Sequence, residues 1–129
     1  RLGSSRGGRS VVTPGPASIV VIPFPFSDLS GNKLRPAVVL ASAGQSDWLL
    51  CQITSNPYSD PLAIKLTSEA MQSGKLHATS FARPLKVFTA NESLMVKRVA
   101  ILNDASFHSI LTVLIDTLAG GVPHDSDCS

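Results

Sequence analysis

Leu34-Arg35-Pro36-Ala37-Val38-Val39-Leu40 is the stretch on which the reading of this fold turns. Proline at 36 keeps Arg35 out of the helical region, and the β-branched run behind it reads as a strand. Ile19-Val20-Val21-Ile22 precedes it, and a second run, Trp48 to Ser55, follows. Pairing Pro36–Ser42 antiparallel with Trp48–Ser55 as a hairpin brings the start of one strand to the end of the other, and so Arg35 to Thr54. Alternation puts Arg35, Ala37 and Val39 on one face of the first strand. In the second strand Leu50, Gln52 and Thr54 share a face, and Leu49, Cys51 and Ile53 take the other. A guanidinium is charged at any working pH and offers a planar fork of donors matched to phosphate oxygens. An Arg beside a hydroxyl therefore points to phosphate binding or phosphodiester chemistry. A surface salt bridge at Arg35 with a turn hydrogen bond at Thr54 is the competing assignment, and the residues alone leave it open.

Around this stretch the chain reads as one domain, because 129 residues suffice for a single core. A hydrophobic fraction of 43% with 16% charged residues is that of a globular protein. No apolar run approaches the roughly 18 to 20 residues needed to span a bilayer. The first seventeen residues lack the apolar core and cleavage pattern of a secretory signal, so a cytoplasmic location and no membrane partner are expected. The formal charge of +2 is misleading: Arg1, Arg6 and Arg9 supply three of eleven cations, and residues 18–129 keep eight against nine acids, a net of −1. Any nucleic-acid contact is then a local patch, not a global field.

Residues 1–17 are rich in Gly, Pro and Ser and are expected to be a disordered extension. Gly120-Gly121 and Pro123 end a helical pattern, so 120–129 is expected to be a disordered tail and 18–119 the folded domain. Strands are expected at 18–24, 36–42, 48–55, 61–66, 78–82 and 85–90, with a short helix at 67–73 stopped by Gly74. Pro23 and Pro25 should end the first strand or hold it at an edge, and Leu29-Ser30-Gly31-Asn32 reads as an exposed turn. Asn103 or Asp104 caps a final helix whose apolar positions Phe107, Ile110, Leu111, Leu114, Ile115 and Leu118 recur at i, i+3, i+4. The expected fold is mainly β, a small barrel with a C-terminal amphipathic helix packed on it.

The inventory of reactive residues is short. His77, His108 and His124 show no ligand spacing with one another or with Cys51 and Cys128, and no clustered carboxylates occur, so no metal site and no cofactor are expected. No phosphate-cradling glycine loop or nucleophile elbow appears. The apolar neighbours of Cys51 make it a buried, inert thiol. His77, after Gly74, is the rival for a proton-transfer role, and His108 is expected to be exposed. Arg35 with Thr54 remains the leading pair. Were the ligand a single-stranded RNA, Lys33, Gln52, Ser55, Asn56 and Arg83 would be the candidates for contact with it, Arg83 equally as a second phosphate ligand or a salt bridge. Phe24 and Phe26 are candidates for base stacking or for core packing.

The blocks IVVIPFPFSDLSGNKLRPAVVL (19–40), DWLLCQITSNPYSDP (47–61), Ser80 to Pro84 and Phe88-Thr-Ala-Asn-Glu-Ser resemble the MazF/PemK family of toxin endoribonucleases across residues 18–118. The resemblance implies an SH3-like barrel with a C-terminal helix, a homodimer, metal-independent cleavage of single-stranded RNA and inhibition by a cognate antitoxin. It places the family's catalytic Arg on Arg35 and its catalytic Thr or Ser on Thr54. The implied reaction is attack of the RNA 2′-hydroxyl on the adjacent phosphorus, leaving 2′,3′-cyclic phosphate and 5′-hydroxyl ends, with no residue assigned as proton acceptor. Members usually begin the first strand with Gly-Asp where this chain has Ala17-Ser18, and some carry a carboxylate in the segment equivalent to 80–84, which has none here. The alternatives are a catalytically weakened RNA- or antitoxin-binding module, or a CcdB-like gyrase poison on the same fold. The polar terminus His124 to Ser129 is unlike the Trp-Gly-Ile-like end expected of the latter.

Overall fold

The hairpin expected from the Arg-Pro stretch forms. In the computed structural model, which describes residues 14–24, 33–57, 60–76 and 78–120, strand β2 (Lys33–Gly44) pairs antiparallel with β3 (Asp47–Thr54). The register sets Ala37 opposite Gln52, Val38 opposite Cys51 and Val39 opposite Leu50. Gln45 and Ser46 join the strands with φ of 56° and 67°, the positive values that a two-residue turn needs to match strand twist. The Glu92 amide donates to the Ser46 carbonyl and steadies this turn from outside the hairpin.

Around the hairpin lie β1 (Ser18–Phe24), β4 (Ile64–Leu66), β5 (Met71–Gly74), β6 (Ser80–Asn91) and β7 (Lys97–Leu102), followed by helix α1 (Asp104–Gly120). They make one antiparallel sheet in the order β4-β6-β3-β2-β1-β7-β5. It curls into a nearly closed barrel with a single C-terminal helix, as expected. Alternation sorts the apolar residues into two clusters. Ile19, Val38, Leu40, Cys51, Ile53, Ala100 and Leu102 pack with Ile110 of the helix; Val20, Ile22, Ala37, Val39 and Leu50 pack with Met95 on the other face. Pro23 is accommodated inside β1 because β7 pairs only as far as Val21. Beyond Val21 the strand has β2 alone beside it, as at an edge.

Several expectations are corrected. Residues 67–73 are not a helix: a 3-10 turn at Ser68–Ala70 leads into β5, which pairs with β7. A seven-residue segment is too short to hold a helix on its own, and the free edge of β7 offers it a ladder. The strands expected at 78–82 and 85–90 are one strand, β6. Cys51 pairs with Val87 and Gln52 with Arg83, so Pro84-Leu85-Lys86 bulge out where Pro84 has no N–H to give. Strand β7 was not expected at all. In α1 the Asn103 side chain accepts from the Ser106 amide at 2.8 Å, making Asn103 the cap. Ile110 is fully buried, whereas Ile115 and Leu118, expected on the packed face, are 59% and 63% exposed: cluster contacts stop at Leu114.

Most of the expected extension and nearly all of the tail lie outside the described residues, as do the 29–32 turn, Phe26, His77, His124 and Cys128. The described residues 14–17 form a turn. In it the Ala17 amide donates to Val39 and its carbonyl accepts from Leu102, tying β2 to β7 across the start of β1. Ala17 does this with φ of 77°, the left-handed conformation that favours glycine.

Candidate functional site

The strand ends converge on a cavity of about 320 Å³. It is walled by the start of β2 (Leu34, Arg35, Pro36), the end of β3 (Ile53, Thr54, Ser55), the segment leaving β5 (Lys75, Leu76), Ala78 and Ser80 at the start of β6, Lys97 and Val99 of β7, and Val21. Among the described residues its wall holds three cations, Arg35, Lys75 and Lys97, three hydroxyls, Thr54, Ser55 and Ser80, and no carboxylate. Continuing the β2/β3 register puts Arg35 opposite Thr54 on one sheet face, the juxtaposition anticipated from alternation. The Nε of Arg35 is buried and finds no hydrogen-bond partner among the described residues. A buried charged donor left in that state is costly, and an anion seated in the cavity would satisfy it.

The Thr54 hydroxyl is already engaged. It accepts from the Asn56 amide at 3.2 Å and donates to the Asn56 carbonyl at 3.1 Å, closing a tight turn at the end of β3. Ser55 is exposed at the cavity wall. Of the other RNA-contact candidates, Gln52 is half-buried between Ala37 and Arg83 and does not line the cavity. Arg83 donates from Nε to Asp60 at 2.8 Å, and this ion pair ties β6 to the 60–63 turn. Arg83 holds the Asp60 carboxyl below its usual range, helped by the Leu62 amide. Neither Arg83 nor Asn56 lines the cavity. Lys33 opens β2 opposite Phe24, and the side chains of both lie outside the described residues. His108 is exposed on α1. Cys51 is fully buried, and burial pushes its thiol up to about 12 against a smaller opposing hydrogen bond with the Val38 backbone. Among the described residues no group of three His, Cys, Asp or Glu is placed to hold a metal ion, and no helix is long and apolar enough to cross a membrane.

Lys75, Lys97 and Ser80 were absent from the sequence-based candidates. Lys97-Arg98 directly precedes the apolar Val99-Ala100-Ile101-Leu102, a strand signal that would have pointed to one of them. Which of the two cations enters the cavity depends on a bulge. Ile19 pairs with Ala100, but Val20 pairs with Arg98 and Val21 with Lys97. The extra residue, Val99, puts Lys97 on the same face as Ala100 and sends Arg98 to the other.

A small curled antiparallel barrel, one C-terminal helix and a cation-walled cavity at the strand ends define the class of protein. The family described as PemK-like, MazF-like toxin of type II toxin-antitoxin system matches residues 16–118. The chain belongs to that family. Among solved structures it is similar to an endoribonuclease in complex with its cognate antitoxin from a mycobacterial species, at 14% identity and TM-score 0.64 over 86% of this chain and 98% of the other. MazF from Deinococcus radiodurans is similar at 18% identity and TM-score 0.64, covering 83% and 96%. The Mycobacterium tuberculosis toxin MazF-mt6 aligns at 10% identity and TM-score 0.62, covering 79% and 96%. At these identities the likeness is one of fold. No curated protein sequence matches the chain.

Proposed function

We propose that this protein is the toxin of a type II toxin-antitoxin pair and acts as an endoribonuclease on single-stranded RNA, without a metal ion or other cofactor. The observation that carries the reading is the cavity whose described wall holds Arg35, with its buried Nε unpartnered among the described residues, two lysines, three hydroxyls and no acid. Such a site attracts a phosphodiester. In this reading the RNA 2′-oxygen attacks the adjacent phosphorus, the bond to the 5′-oxygen breaks, and the products are a 2′,3′-cyclic phosphate and a 5′-hydroxyl. The 2′-hydroxyl proton goes to an acceptor not assigned among these residues, and the 5′-oxygen takes up a proton on leaving. Guanidinium groups keep their proton in proteins, so the role of Arg35 is to hold the phosphate and its growing charge. Thr54 shapes the turn facing it, and Ser55 lies within the same wall. The family and neighbours solved with their antitoxins support a cognate antitoxin as partner; in this reading the protein is a cytoplasmic homodimer.

Incubation with mixed-sequence RNA in EDTA tests the proposal. The wild type should release fragments with 5′-hydroxyl ends, and intact RNA in the presence of folded protein would refute it. Arg35→Ala should slow cleavage ~100- to 1000-fold, the usual cost of one preorganised donor, while the circular dichroism spectrum stays that of the wild type. One observation favours a second reading, a catalytically weakened RNA-binding module: the Thr54 proton is committed to Asn56. Tight RNA binding without products would establish it.

A further inference from the structure

Lys75 and Lys97 reach the cavity by separate backbone devices. The bulge at Val99 turns Lys97 inward, as described above. Gly74, with φ of 75°, ends β5 so close to β7 that a Cβ there would strike the Val99 carbonyl and the Ala100 backbone. Lys75 follows directly and lines the same cavity. Across the sheet Pro36, Val21 and Lys97 form one cross-strand row, so Lys97 lies two strand spacings, about 10 Å, from the Arg35-Pro36 step. Arg35 itself pairs with Ile22 and so leaves the sheet on the face opposite that row; the two cations border the cavity from different sides, which suits neighbouring phosphates of an extended chain better than one shared phosphate.

We infer that Lys75 and Lys97 are substrate-positioning residues that hold an RNA phosphate next to the one at Arg35. The inference rests on the ribonuclease reading and adds to it a second cationic subsite formed by the β5–β7 edge. A phosphate held away from the reacting bond contributes equally to substrate and transition state. Loss of these lysines should therefore raise KM and leave kcat nearly unchanged, unlike loss of Arg35.

The test uses a fluorescent mixed-sequence 2′-O-methyl RNA, which lacks the attacking hydroxyl and so reports binding alone. In salt titrations each of Lys75→Gln and Lys97→Gln should weaken binding about tenfold and lower the slope of log affinity against log salt by about 0.7. The double variant should lose about 1.4 of slope. Lys97→Arg should keep the wild-type slope, and Lys65→Gln, at an exposed position of β4 outside the cavity lining, should match the wild type. A double variant with unchanged slope, or one matched by Lys65→Gln, overturns the inference while the reading survives if the wild type still cuts unmodified RNA. A wild type that neither binds nor cuts RNA overturns both.

Discussion

Two single residues carry costs that are measurable because each is fixed by its surroundings. Ala17 holds a left-handed conformation to close the β2–β7 clamp. For an L-residue that geometry costs roughly 1 kcal/mol, so Ala17→Gly should stabilise the fold by up to about that amount, seen as a higher urea midpoint at unchanged slope. Cys51 illustrates burial acting on an ionisable group. Its thiol is raised to about 12, whereas an unfolded thiol titrates at about 8.5. Between those values the unfolded chain gives up a proton that the folded one keeps. The stabilising preference for the neutral thiol is therefore complete at neutral pH and fades as pH rises, by at most about 1.4 kcal/mol per unit. Urea unfolding from about pH 8 to 11 should show the wild type losing stability faster than Cys51→Val; parallel curves would mean the thiol is not the source.

At the scale of elements, the β5–β7 pair is the part most sensitive to one atom. Gly74 meets β7 with no room for a side chain and with positive φ. Gly74→Ala should destabilise by more than about 1 kcal/mol. If Lys75 serves as inferred, the same substitution should also weaken RNA binding beyond what the lost stability explains, as measured by anisotropy below the unfolding temperature. The bulges in β6 and β7 are the complementary devices: one carries the strand past Pro84, and the other chooses Lys97 over Arg98. The interruption at Pro84 reads from the sequence as a gap between two strands and the one in β7 does not read at all, because alternation assumes the uninterrupted ladder that a bulge interrupts.

For the whole molecule, the helix is joined to the barrel through a narrow seam. Ile110 is fully buried in the cluster that includes Ile53 and Leu66, while Ile115 and Leu118 are exposed. Ile110→Ala should cost roughly 2 to 5 kcal/mol, and Leu118→Ala should stay within about 0.5 kcal/mol; denaturation followed by circular dichroism separates the two. If α1 is part of the cooperative unit, Ile110→Ala will lower one common transition. A helix that melts first would reveal a separate unit.

The sequence by itself determined the local facts: Arg35 extended by Pro36, a hairpin between two β-branched runs, an inert Cys51, a capped final helix and the face on which Arg35 and Thr54 stand together. These follow from covalent restriction, alternation and burial, which act over a few residues and are legible in order along the chain. The tertiary structure alone decided that residues 71–74 are a strand, that β7 completes the sheet, and that Arg83 is spent on Asp60 while Lys75 and Lys97 enter the cavity with Arg35. Those outcomes depend on which edges remain unpaired and where a ladder slips by one residue. Such choices are made between segments far apart in the chain, where local propensity differs by less than the hydrogen bonds and buried surface that pairing supplies.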